Sequence, residues 1–151
     1  MSQTRVYVPL TAEQCRSLSS GQELAAPVTA YAVTRALETS HRGLEEEEWE
    51  YLALQEAAGV ALAPAGGRRA VVAAADVASE SVGESATDAS ALSLVLVTEP
   101  IALRRIVSFH VTDPGASTPA SGEDGSGGGE GDEVELSWYD ATELAVLLNL
   151  L

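Results

Sequence analysis

The hydrophobic pattern divides the chain into short apolar elements separated by polar or glycine-containing breaks. Arg5–Pro9 predicts a first strand, which ends at Pro9 or lies at an edge because proline has no N–H for a ladder. Thr11-Ala-Glu-Gln14 reads as a capping box opening a helix over Ala12–Leu24, with Cys15 and Leu18 facing inward. Val28–Val33 predicts a strand bearing Tyr31, and Thr34 caps a short helical turn through Leu37. The longest helix is expected over Leu44–Ala63, with the acidic run Glu45–Glu48 complementing its dipole and Pro64-Ala-Gly-Gly67 stopping it. Leu44, Tyr51, Ala58 and Leu62 form one apolar stripe, and Trp49, Ala53 and Val60 fall almost opposite.

Two continuous apolar runs, Arg69–Val77 and Ala91–Thr98, read as strands buried on both faces. The segment 78–90 between them reads as a polar loop. Pro100 suits the start of a short helix over Ile101–Arg105. Ile106–Thr112 alternates, with Val107, Phe109 and Val111 on one face and Ser108 and His110 on the other. Residues 114–132 are rich in Gly, Ser and acids and read as a disordered linker. Glu133–Tyr139 alternates again, placing Val134, Leu136 and Trp138 together. Asp140-Ala-Thr-Glu143 then caps a last helix to Leu151, whose core stripe is Leu144, Leu147, Leu148 and Leu151.

The predicted order is β-α-β-α-β-β-α-β-β-α. Alternation of strands with helices predicts a single α/β domain over residues 1–151, built on a mixed, partly parallel sheet of about six strands with helices on both faces.

Composition changes this picture in two ways. The chain has 23 carboxylates against 8 basic residues, all arginine, for a net charge of −15. The acidity is uneven: residues 1–43 hold three carboxylates and four arginines, and residues 44–151 hold twenty and four. Such a surface opposes nucleic acid and anionic membrane, and favours a basic protein partner. One cysteine, no apolar leader and no apolar run long enough to span a bilayer predict a cytoplasmic protein.

No catalytic, metal or nucleotide motif stands out, and no cofactor is predicted. The polar residues expected near strand ends, where an open α/β sheet would bind a ligand, are Thr34, Asp76, His110 and Asp113. On one strand, His110 and Asp113 would point to opposite faces, which opposes a dyad. Adjacent carboxylates in Glu45–Glu48 diverge by about 100° around a helix and do not share one ion closely. Gly66-Gly67-Arg68-Arg69 precedes a strand, the wrong context for a phosphate loop. The apolar residues left over on second helix faces, Trp49 with Val60 and Val146 with Leu150, are candidates for an interface unless the two helices cover each other. Trp138 is a further candidate anchor.

Five stretches together carry a family likeness: Arg5-Val-Tyr-Val-Pro-Leu-Thr, Thr29-Ala-Tyr-Ala-Val-Thr, Glu48-Trp-Glu-Tyr-Leu-Ala-Leu, Arg68-Arg-Ala-Val-Val and Leu136-Ser-Trp-Tyr-Asp-Ala-Thr-Glu-Leu. The chain resembles an uncharacterised family of small acidic actinobacterial proteins, a domain of unknown function. The resemblance implies a cytoplasmic protein and transfers no catalytic residue. The expected function is that of a non-enzymatic interaction or regulatory protein acting through protein–protein contacts, with a homo-oligomer also open. The alternative is a small enzyme or ligand-binding domain with its site near Asp76 and Asp113.

Overall fold

A computed structural model describes residues 2–84, 91–116 and 133–151. Among the described residues seven strands form one sheet: β1 (Gln3–Leu10), β2 (Val28–Tyr31), β3 (Val71–Ala78), β4 (Val82–Glu84), β5 (Leu94–Val97), β6 (Ile106–Val111) and β7 (Ser137–Asp140). Their order is β4-β5-β2-β1-β3-β6-β7. Four α-helices accompany them among these residues: α1 (Ala12–Ser19), α2 (Arg35–Ser40), α3 (Glu46–Ala65) and α4 (Leu144–Leu148).

Every neighbouring pair is antiparallel, which corrects the expectation of a mixed, partly parallel sheet of about six strands. The reason lies in where β1 sits. It is antiparallel to both β2 and β3, so those two run in the same direction. They are joined through α2 and α3, as strand–helix–strand alternation suggests. But β1 lies between them, so the parallel pair never touches. The chain order is legible from periodicity; the interposed strand is not.

Two apolar layers result. On one face Tyr7, Tyr31, Val72 and Ala74 pack beneath Ala53, Leu54, Ala57, Ala58, Ala61 and Leu62 of α3. On the other, Val6, Val8, Ala73, Ala75, Phe109 and Val111 pack with Cys15 and Leu18 of α1 and with Leu144 and Leu147 of α4. The predicted stripe holds at Ala58 and Leu62, which are buried against the sheet, and fails at Tyr51, which is exposed, and Leu44, which is half-buried; Ala53, expected on the opposite side, is buried in the same contact. Alanines dominate the contact because small side chains let the helix lie close to the sheet.

Several boundaries also move. β1 continues through Pro9, which pairs with Val72, although the strand is central. β1 meets β2 at a single register pair, Tyr7↔Tyr31, so on that side Pro9 is not asked for a donor. α1 stops at Ser19, ahead of Gly21 with φ 92°. α3 carries Pro64 in its last turn and closes on Gly66 in the left-handed conformation. Segment 78–84 is not loop: it forms a 3₁₀ turn and edge strand β4. Residues 85–90 and 117–132, including most of the expected linker, lie outside the described residues.

β3 is buried almost throughout, whereas the 91–98 run yields only four strand residues and leaves Leu96 exposed. In β6 the register slips between Ala74 and Ala75, where Ile106 and Ser108 pair and Val107 does not. This bulge turns Val107 out to solvent and puts Ile106 in the core with Phe109, so the strict alternation expected for 106–112 fails at its start. The last two elements are shorter than predicted. Of the predicted 133–139 only residues 137–139 are strand, continued by Asp140, and α4 ends at Leu148, with Leu148 and Leu151 half-buried.

Candidate functional site at the edge of the sheet

Below the bulge, β6 alternates regularly and directs Ser108 and His110 to the α3 side of the sheet, opposite Ala74 and Val72. β7 pairs His110 with Trp138 and Ser108 with Asp140, so these side chains share that face. Upstream of β7, the chain at 133–136 is held against α3. The Gln55 side-chain amide binds the Val134 backbone on both sides, donating to its carbonyl at 2.9 Å and accepting from its N–H at 2.8 Å. The Tyr51 hydroxyl donates to Glu133 at 2.7 Å. Partial burial, together with that carboxylate, pushes the Tyr51 phenol up to about 12. Between α3, β6 and this segment lies a cleft of about 450 Å³, lined among others by Tyr51, His110, Asp113, Glu133 and Glu135. Trp138 stands on the same face as the cleft's His110, and is 61% exposed.

His110 is half-buried, with its Nε2 3.1 Å from the Ser108 hydroxyl. Burial, and then the positive charge of Arg5, hold the imidazole below its ordinary value. As pH falls, the unfolded chain therefore takes up this proton before the native one. Stability from this group is complete above about pH 6.5 and is lost progressively below it, down to the lower native value. In urea titrations, His110→Asn should lose less stability than the wild type between about pH 7 and pH 5. Equal losses in the two proteins would disprove the assignment.

The other predicted polar residues do not join this cleft as a set. Asp113 lines it but is exposed, and lies 3.7 Å from the Arg69 guanidinium. It makes no contact with His110 that would form a dyad. Asp76 is not at the end of its strand, since β3 runs on to Ala78. It sits opposite Arg5, which grips it through two bonds of 2.6 and 3.1 Å. Both line a separate polar basin of about 590 Å³ with Glu38, Glu46 and Glu50. Burial, reinforced by Glu46, raises the Glu50 carboxyl, and burial next to Glu50 pushes the Tyr7 phenol up to about 12. Asp76 and Asp113 thus line different cavities. Thr34 is buried and fully occupied: it caps α2 by accepting from the Leu37 N–H at 3.0 Å and donates to the Leu92 carbonyl.

The predicted interface residues are also dispersed. Trp49 is half-buried, and its indole N–H donates to the His41 carbonyl at 3.0 Å. Val60 is exposed on α3, and Val146 and Leu150 are exposed on and just beyond α4. The sheet separates α3 from α4, so the two pairs neither cover each other nor merge into one patch.

Tyr51, Gln55 and Glu133 escaped sequence reasoning as site residues. Their partners lie 79 to 82 positions apart in the chain, beyond any local signal. Among the described residues no group of three His, Cys, Asp or Glu side chains is arranged to hold a metal ion. Nor is any helix long and apolar enough to cross a membrane. Cys15 is buried, and burial pushes its thiol up to about 11, away from a reactive thiolate.

No curated protein and no solved structure matches the chain. A family model does match, across residues 4–148, which takes in every helix and nearly all of the sheet, together with the cleft and Trp138. By that match the chain belongs to the family of unknown function DUF6912.

Proposed function

We propose that the protein is a non-enzymatic cytoplasmic interaction module that engages a protein partner through the α3-side surface around Trp138. The observation that carries this reading is the exposure of Trp138 on a hydrogen-bonded strand, beside a cleft rimmed by carboxylates. A large aromatic side chain on rigid backbone is the commonest kind of binding anchor, because it presents much apolar area and loses little freedom on docking. The polar residues that an enzyme reading would use support the same view. Thr34 serves as a cap and Asp76 is neutralised by Arg5, while His110 and Asp113 are not bonded to each other.

The test compares capture from a native lysate by immobilised wild-type protein and by Trp138→Ala, with near-ultraviolet circular dichroism as the check on folding. A partner retained by the wild type should bind the variant about 30-fold more weakly, as expected for an anchor residue. An identical set of captured proteins at equal strength would overturn the reading.

A further inference from the structure

We propose that the open edge of β7 accepts an extended, arginine- or lysine-rich segment of a partner protein as an added strand, with Trp138 packed against its side chains. This deepens the protein-contact reading above and rests on it.

The backbone supplies the first reason. β7 is the last strand on its side of the sheet among the described residues. Its Asp140 N–H donates to the Glu143 carboxylate at 2.9 Å, and so points away from β6. Strand backbone groups alternate in direction, so the N–H and C=O of Trp138, two residues earlier, also face the open edge. A chain laid alongside would complete them, as in other cases of strand addition.

The second reason is that β7, among the described residues, carries little edge protection beyond its short length of four residues. Ser137-Trp-Tyr-Asp140 contains no proline and no lysine, and its pairing with β6 has no register shift. The opposite edge differs. β4 has three residues, one of them Gly83, and its Glu84 side chain is engaged by the Arg35 N–H at 3.3 Å.

Charge selects the occupant. Residues 106–151 contain nine carboxylates and no arginine or lysine. Asp113, Glu133 and Glu135 line the cleft next to the edge. A second copy of this chain would bring the same negative field to the contact and be repelled, whereas a cationic segment is drawn to it. Trp138 also offers a ring face on which a guanidinium can stack.

The experiment uses the full chain and calorimetric titration with short peptides alternating arginine and valine, or glutamate and valine. The arginine peptide should bind, more weakly as salt is raised, and the glutamate peptide should not. Trp138→Ala should weaken binding about 30-fold. N-methylation of alternate peptide amides should weaken binding about tenfold or more in one phase and little in the other, because only one phase donates to the edge. Equal effects of the two phases, or equal binding of both peptides, would overturn strand addition. So would a dimer in light scattering that Trp138→Ala dissolves, since the occupant would then be a second copy. If no peptide binds but Trp138→Ala still loses a lysate partner, the strand inference falls and the interaction reading stands. If the variant loses neither peptide nor partner, both fall.

Discussion

Replacing Phe109 with alanine should destabilise the protein by about 3–5 kcal/mol, the largest single-residue effect expected in this fold. Phe109 is the chain's only phenylalanine and is 0% exposed. It projects from β6 into the layer under α1 and α4, among valines and alanines from β1 and β3. Those strand neighbours are short and fixed, which leaves only the helix leucines Leu18, Leu144 and Leu147 to move toward the space an aromatic ring leaves. The loss therefore combines the ring's transfer free energy with the cost of a persistent cavity. The measurement is a urea midpoint at unchanged slope, which separates lost stability from a changed unfolded state. Phe109→Leu should restore more than half of the loss. A loss below about 1 kcal/mol for the alanine variant would mean that the layer collapses around the gap, contrary to the packing described.

Ala57→Leu should destabilise by about 3 kcal/mol, at the upper end of the usual overpacking range. Ala57 is fully buried between α3 and the sheet, within the cluster of Tyr7, Tyr31, Val72 and Ala74. Enlarging it forces α3 away from strands that the opposite layer holds in place. Ala57→Ser, close to it in size, tests whether bulk or polarity is the cause. Its hydroxyl can bond back to the helix carbonyl of the preceding turn, so it should be the milder change. A leucine variant as stable as the wild type would show that the helix is free to lift.

Local chemistry made much of this structure legible. The Thr11–Gln14 and Asp140–Glu143 boxes and the Thr34 cap sit where short-range spacing puts them. β3 is recognisable as a long apolar run because both of its faces are covered. What failed was nonlocal or turned on small residues. Nothing in residues 3–10 announces that this strand will lie between β2 and β3, and that one fact turns a mixed sheet into an antiparallel one. Large side chains weigh most in a hydrophobic pattern, so the predicted stripe takes in Leu44 and Tyr51 along with Ala58 and Leu62, and only the last two are buried against the sheet. Close approach instead selected Ala53, Ala57 and Ala61. Strict alternation could not foresee the Val107 bulge. At the site, His110 and Trp138 were each visible, but their pairing across β6 and β7 was not, and neither was the clasp of Gln55 on Val134.

The single pairing of Tyr7 with Tyr31 gives the sheet a seam. On one side stand β1, β3, β6 and β7, and on the other β2, β5 and β4. Few ladder bonds hold the smaller block, so its attachment depends on α3, which grips a tyrosine from each side, and on the opposite layer, where Val28, Ala30, Val95 and Val97 share a core with Val6 and Val8. The β6–β7 edge belongs entirely to the larger block, so a guest strand there would lengthen the better-bonded ladder and leave the seam untouched.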